Sequence, residues 1–524
     1  MNIIAYDLGT GGIKASIFDE NGQSLASHFI SYPTFYPHEK WHEQKPMDWW
    51  NSVCQSTKSL FEKSKLRPED ISCVSLSGHS LLVVPLNNKG ELLTDSVPIW
   101  SDTRATDCID DFFSNLNYED WYMTTGNGDP AECYSILKLI WMRKYQPEIF
   151  SKTDKVLGSK DFINYMLTGV KCTDPSYASG FGVFNLHKWN YEDRFFKAAG
   201  INRGIFPDIV PSDSIIGKVT KEAALLTGLA EGTPVACGGV DNTCMALGAC
   251  GIGEGKVYTS LGSSSWIAVT SATPILDIQT RPFIFAHARK GYYTSAVSIF
   301  SAGNSFRWIR DELCRDISVD EDAYDKMNAM AKDVPIGSNG VLFNPTLAGG
   351  SAQESNPDMK GGFMGLSLSN TREDLIRASM EGIALALGEV LSTLKSNVSL
   401  EKDMLICGGG SKSELWREII ANVFNQDIIK TNIDQDAASL GAAALAANAC
   451  GIWNGYDKIN EIHKIESVIQ PRPSQVEEYK RLQSIFHRWA EQIAELSHEI
   501  YLLEKKFHAD DIKDLPCRNK VFLQ

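Results

Sequence analysis

The chain contains no Cys-x-x-Cys pair, no apolar run approaching the ~18 residues of a membrane span, and no excess of positive charge. Its 12 cysteines are scattered from Cys54 to Cys517 without short Cys/His spacing, which excludes a zinc site of that kind and does not read as a disulfide framework. Cys73 in ISCVSLSG and Cys237 in PVACGG lie in apolar runs, as small buried hydrophobes of a reducing compartment do. Lys and Arg number 50 against 65 Asp and Glu, a net charge of −15, which speaks against nucleic acid or an anionic membrane as a partner. Any anion must be held by local geometry instead. The opening MNIIAYDLG has neither the basic start nor the apolar core of a secretory signal, so a cytoplasmic protein is expected. Oligomeric state is left open, a homodimer included.

What is present is globular. The 524 residues are 43% hydrophobic and 22% charged, enough for several domains at roughly 150 residues each. Two halves share a plan. Ile3–Tyr6 leads into Asp7-Leu8-Gly9-Thr10-Gly11-Gly12-Ile13-Lys14 and then Ala15–Phe18: strand, small-residue turn, strand. Lys256–Ser260, Leu261-Gly262-Ser263-Ser264-Ser265 and Trp266–Val269 repeat it about half a chain later. A duplicated domain is the economical reading, with residues 1–253 as one unit and 254–524 as the other. The boundary falls near Gly251-Ile252-Gly253-Glu254-Gly255.

Between the hairpins, strands alternate with helices, which indicates α/β layers. Ile71–Ser77, Val97–Trp100, Thr233–Cys237 and Leu405–Cys407 read as strands. Ala131–Arg143, a segment starting at Asp241, Asp374–Leu394 behind a Thr371-x-x-Asp374 capping box, and a segment from Glu414 read as helices. Val476, Tyr479, Leu482, Phe486, Trp489, Ile493, Leu496 and Ile500 keep helical spacing and predict one long C-terminal helix packed through that stripe. The polar tail after Phe507 is expected to be loose.

The turn after Asp7 has backbone N–H groups and few side chains, so Thr10, Gly11 and Gly12 can wrap an anion, with Lys14 adding charge. The same residues also suit a hairpin that merely needs unusual φ. It is not a dinucleotide loop, since Lys14 stands where the third Gly of G-x-G-x-x-G belongs, and the Walker pattern fails at Gly251 to Gly255-Lys256, where the spacing is wrong and Val257 replaces the Ser/Thr. Gly262-Ser263 is an equivalent turn in the second half. Gly408-Gly409-Gly410-Ser411 sits at a strand-to-helix junction, either a nucleotide site or a tight turn. In Gly238-Gly239-Val240-Asp241-Asn242, the glycines allow a close approach by substrate. Asp241 is either a helix cap or the acceptor of a substrate proton. Trp100-x-Asp102-x-Arg104 is either an ion pair or a grip on a polyol.

Taken together and in order, these motifs resemble the FGGY carbohydrate kinases over nearly the whole chain. Trp41-x-Glu43-x-x-Pro46, Lys160-Asp161-Phe162, Thr173-Asp174, Gly361-Gly362-Phe363 and Ser439-Leu440-Gly441-Ala442-Ala443 add to the likeness. The layout is most like that of the xylulokinase members. The resemblance implies two ribonuclease-H-like domains of the actin and hexokinase type around a cleft, and phosphorylation of a sugar or polyol by ATP with Mg²⁺. It implies Asp241 as catalytic base and Asp7, with Asp241, near the metal. Thr10, Gly11, Gly12, Lys14, Gly262 and Ser263 would hold phosphates; Gly303, Gly409, Gly410 and Ser413 the nucleoside region; Ser80, Leu81, Asp102, Tyr134, Asp241 and Asn242 the sugar. An actin- or chaperone-type ATPase is the alternative from another class. Two segments depart from the xylulokinase pattern, Gly78-His79-Ser80-Leu81-Leu82 and Gly349-Gly350-Ser351-Ala352-Gln353, so the acceptor is expected to differ from D-xylulose. His79 is either part of that change or a buried, hydrogen-bonded histidine.

Overall fold

A computed structural model of the protein describes residues 1–511 apart from 39, 251, 300, 351–355, 357–358 and 434–435. Ser351, Ala352 and Gln353 of the second departing segment and Gly251 of the expected boundary thus lie outside the described residues.

Two seven-stranded sheets repeat one pattern. In the first, Asn2–Leu8 and Gly12–Asp19 form an antiparallel hairpin, and Ile71–Gly78 runs parallel beside Asn2–Leu8. Ser24–Ser31 adds antiparallel to Gly12–Asp19, while Pro234–Ala236 and Gly239–Val240 run parallel to Ile71–Gly78. In the second sheet the hairpin is Lys256–Leu261 with Ser265–Ser271, and the parallel neighbour is Asp403–Cys407. Tyr293–Ile299 and Phe283–Ala286 extend one side, Asp427–Thr431 and Ile465–Ile469 the other.

The period of two along a strand explains how the first sheet is covered. Ile4, Tyr6 and Leu8 face the helix Pro46–Ser64 through Trp49 and Val53. Ile3 and Ala5 face the opposite side, onto Leu440 and Ala444 of the helix Ala437–Ala449. Both faces are apolar because both are covered. The second of these helices belongs to the far half of the chain, so it packs the halves together. It lies backbone to backbone on Asp241–Cys250: a Cβ on Gly441 would fall 1.9 Å from the Cys244 carbonyl oxygen, and one on Gly248 would fall 1.8 Å from that of Ala437. The Ser-Leu-Gly-Ala-Ala motif is therefore a packing motif.

Several boundaries differ from expectation. The strand expected over 97–100 is only Val97–Pro98, because the chain turns at Ile99, whose carbonyl accepts the Asp102 amide. The helix expected over 131–143 breaks at Tyr134, which is extended between a short turn, Ala131–Cys133, and the helix Ser135–Tyr145. The Thr371/Asp374 capping box is present, and its helix is Arg372–Lys395. The C-terminal helix, Pro473–Asp511, buries Val476, Tyr479, Phe486 and Trp489. Its stripe then leaves the core: Leu496 and Ile500 are 57% and 48% exposed. The backbone stays helical beyond Phe507, to Asp511, where a loose tail was expected; residues 512–524 are outside the described set.

Candidate active site

Asp7 is the next-to-last residue of its strand, and the parallel register puts Ser77 beside it. The Ser77 hydroxyl donates to Asp7 Oδ1 at 2.7 Å. Burial raises the Asp7 carboxyl above its ordinary range, against the Ser77 bond and nearby Lys14. The following turn is held from behind. Tyr32 donates its hydroxyl to the Gly9 carbonyl at 2.5 Å, and Gln44 donates to the Thr10 carbonyl at 2.7 Å. Trp100 Nε1 donates to the Thr10 hydroxyl at 2.8 Å. Gly12 must lack a side chain, since a Cβ there would meet the Ile30 oxygen at 2.4 Å; beside Gly11 the space is open. Lys14 pairs at 2.5 Å with Asp436, at the start of the Ala437–Ala449 helix. Its charge is thus matched by the other half of the molecule, whereas the sequence reading aimed it at phosphate.

In the second turn, the Gly303 amide donates to Gly262 at 2.9 Å, and those of Ala302 and Asn304 donate to Ser263 at 3.1 and 3.0 Å. A Gly303 Cβ would lie 2.4 Å from the Gly262 oxygen. Gly303 therefore braces the second turn, and its N–H is spent there. Gly408 and Gly410 pack on Leu261, the last residue of the strand before that turn, while Gly409 has open space. Ser413 caps the helix Glu414–Phe424 by accepting the Trp416 amide, and its hydroxyl donates to Asn328 at 2.8 Å. The hydroxyl of Ser413 is thereby occupied by protein partners.

Asp241 opens the helix Asp241–Cys250 directly after Gly239–Val240. Buried polar groups set that approach. Lys160 contacts Asp161 at 2.6 Å and Asp174 at 3.1 Å with all three side chains fully buried. Asp174 accepts the Ser212 hydroxyl, and Ser176 Oγ accepts the Val240 amide at 3.0 Å. Asn164 donates to the Cys237 carbonyl at 2.8 Å. A Cβ on Gly238, at φ 77°, would sit 2.0 Å from the Leu76 oxygen. Gly238 thus serves the close approach of two strands, where the sequence reading offered room for substrate; a Cβ on Gly239 would meet only side chains, Cys244 Sγ at 3.2 Å first. Asp241 Oδ1 accepts the Asn242 amide at 2.8 Å and its Nδ2 at 3.1 Å. Oδ2 accepts no bond from another residue among those described, and the residue's own backbone amide is the only further donor to the carboxylate. An N-cap normally bonds two or three residues on; this carboxylate reaches only its neighbour. Asp241 keeps a partly exposed edge, but the protein around it strips most of its hydration. That burial, then the nearby Asp7 charge, pushes its pKa from 3.8 to about 7.

On the acceptor side, Ser80 and Leu81 are buried, and Leu81 is left-handed at φ 65°. Tyr134 is buried with its hydroxyl unpartnered among the described residues. Asp102 is not free for a sugar. Oδ1 accepts the Arg104 amide and Nε at 3.1 and 2.8 Å; Oδ2 accepts the His42 amide and Arg104 Nη2, both at 2.7 Å. All four lone-pair positions are used, and the residue is fully buried. Arg104 also bonds Glu43 at 2.7 Å and lies over Trp41 at 3.9 Å and Trp141 at 5.0 Å. The Trp-x-Glu and Trp-x-Asp-x-Arg motifs are one buried node holding Trp100 and Gln44 against the first turn. His79 is a buried histidine bonded through Nδ1 to the Leu8 carbonyl, edge-on to Trp49. Gln44, Ser77 and Asp436 were not expected, and Trp100 was expected only within a motif read as an ion pair or polyol grip, not as a donor to the first turn. Trp100 alone carried a local signal, an aromatic in a polar segment; the others depend on register and packing.

Comparison with known proteins matches the N-terminal domain of the FGGY family of carbohydrate kinases to residues 2–248, and the C-terminal domain of that family to residues 257–450. The chain belongs to the FGGY carbohydrate kinases. It is 28% identical to a Bacillus subtilis xylulose kinase over 92% of this chain and 95% of that protein. It is 29% identical to a Bacillus subtilis gluconokinase over 92% and 94%. The crystal structure of xylulose kinase from Rhodospirillum rubrum superposes with a TM-score of 0.86 at 27% identity, over 95% of this chain and all of that one. This FGGY kinase therefore has the family's two-domain α/β fold of actin and hexokinase type, and its reaction class is ATP-dependent phosphorylation of a sugar or polyol. The actin- or chaperone-type ATPase reading falls with that match. Among the described residues no helix is long and apolar enough to cross a membrane.

Proposed function

We propose that Asp241 is the general base of this kinase and that the acceptor is a neutral ketose or polyol. The observation that carries the first part is Asp241 Oδ2, bonded by no other described residue on a desolvated carboxylate beside Asp7. A base working near neutral pH is most effective with a pKa near 7. Asp241 takes the proton of the attacking hydroxyl as the γ-phosphoryl group leaves ADP, and Asn242 keeps the carboxylate oriented. Thr10, Gly11 and Gly12 on one side and Gly262 and Ser263 on the other offer backbone N–H groups to the phosphates. Gly409, with open space beside it, and Gly410 flank the nucleoside. Two neighbouring desolvated carboxylates, Asp7 and Asp241, suit a divalent cation such as Mg²⁺, which when bound neutralises phosphate charge. Ser80, Leu81, Trp100 and Tyr134 face the acceptor.

The neutral character of the acceptor rests on the buried cations nearby. Arg104 is consumed by Asp102 and Glu43, and Lys160 by Asp161 and Asp174, while Lys138, which has no carboxylate partner among the described residues, is 1% exposed and turned onto the backbone carbonyls of Leu81 and Ile99. A sugar acid needs a free cation to offset desolvation of its carboxylate. Ten of the described cysteines are thiols outside any disulfide, which suits a reducing compartment such as the cytoplasm. The test is ADP release over a panel of pentuloses, hexuloses, polyols and sugar acids, with and without Mg²⁺. A neutral acceptor is expected to lead in kcat/KM. Asp241→Asn is expected to lose about 10²–10⁴-fold in turnover on that acceptor with ATP affinity nearly unchanged. A leading sugar acid would overturn the acceptor assignment; near-normal turnover by Asp241→Asn would overturn the base.

A further inference from the structure

Lys138 lies one turn into the helix Ser135–Tyr145 and is 1% exposed. Among the described residues it has no carboxylate within ion-pairing distance. Its ammonium donates instead to two carbonyls, Leu81 at 2.9 Å and Ile99 at 2.6 Å. Burial without an anionic partner pulls its pKa down to about 8. A buried charge with this cost needs a role beyond filling space, which leucine or methionine would fill better.

Both acceptors belong to the acceptor side of the site. Leu81 is held left-handed, a conformation that a residue with a Cβ adopts only under constraint. The next carbonyl, that of Leu82, accepts the Ser135 hydroxyl at 2.9 Å from the same helix. Ile99 directly precedes Trp100, whose indole reaches Thr10 of the first phosphate turn. The Lys138 amide itself donates to the carbonyl of Tyr134. One ammonium therefore joins three separate segments that carry Leu81, Trp100 and Tyr134.

We propose that Lys138 is a positioning residue for the acceptor: its two charge-assisted hydrogen bonds fix the Ser80–Leu81 bend and the Ile99–Trp100 turn so that the acceptor hydroxyl meets Asp241. This rests on the acceptor site assigned above. None of these bonds reaches Gly262, Ser263, Gly409 or Gly410; the single link to the phosphate side runs at one remove, through Trp100 to Thr10, so the effect falls first on the acceptor. Lys138→Met keeps the length and removes the donors; Lys138→Gln keeps two N–H groups without the charge. Lys138→Met should raise the acceptor KM about tenfold or more, the scale of one lost charge-assisted hydrogen bond, and lower kcat. ADP affinity measured without acceptor should stay within about twofold, and Lys138→Gln should fall between. Adding Leu81→Gly, which accepts the left-handed bend freely, should recover part of the loss. Hydrogen exchange should quicken in segments 80–82 and 99–103 and nowhere else, a readout that needs no turnover. If the wild type phosphorylates nothing in the panel, the functional reading falls, and the exchange pattern alone decides on Lys138. If Lys138→Met does not fold, Lys138→Gln carries the same comparison. An unchanged acceptor KM, an equal loss of ADP affinity, or unchanged exchange in those two segments would refute the proposal.

Discussion

Asp241→Asn should stabilise the protein as it inactivates it, and the size of the effect follows from the site. The Asp241 pKa rises from 3.8 to about 7 on folding, mainly through burial. At about 1.4 kcal/mol per tenfold change in proton affinity, ionised Asp241 costs the native state at most about 4 kcal/mol. Its partly exposed edge screens the charge, and halving the figure leaves about 2 kcal/mol. The sign follows from linkage. The folded state binds the proton more tightly, so no penalty exists below pH 3.8; it grows as pH rises toward 7 and is constant above. Asn removes the charge and keeps an oxygen for the two bonds from Asn242. At about 2–4 °C per kcal/mol for a cooperative unit of 150–250 residues, Tm should rise by about 4–8 °C at pH 8. The gain should shrink toward zero at pH 4. Scanning calorimetry of both proteins from pH 4 to pH 8, without nucleotide or sugar, makes the measurement. The wild-type kcat/KM for the acceptor should fall about tenfold per pH step below about 7. A variant that is inactive yet no more stable at pH 8 than at pH 4 would refute the desolvated-carboxylate account.

Gly441→Ala places a methyl group 1.9 Å from the Cys244 carbonyl. The two central helices must part, at a cost of about 1–3 kcal/mol or more, visible as a lower urea midpoint; an unchanged midpoint would mean that the helices are not rigidly apposed. Arg104→Met leaves Asp102 buried without its cation and should cost about 3–5 kcal/mol. Replacing Asp102 by Asn in the same protein should return part of that in urea denaturation. Additive losses from the two changes would show that the pair does not act as a unit.

Local sequence determined a good deal of this protein. The period-two runs around Asp7 and Tyr258, each broken by small residues, foretell two hairpins, because side-chain alternation and turn chemistry are properties of neighbouring residues. The Thr371 capping box and the start of the helix at Asp241 were legible for the same reason. The ordered motifs carried the family likeness that the domain comparisons bear out. The sequence could not tell a ligand group from a brace, since Asp102, Gly303, Ser413 and Lys14 have the right chemistry for binding. Only the tertiary structure shows that their hydrogen-bonding capacity or charge is taken by Arg104, Gly262, Asn328 and Asp436. Nor does the helical stripe from Val476 to Ile500 reveal where its cover ends, because burial depends on what lies opposite. The proton affinity of Asp241 is the plainest case. An aspartate at the start of a helix ordinarily titrates low. Here burial by the surrounding fold removes water, the Asp7 charge then adds to it, and residues more than two hundred positions apart decide its chemistry.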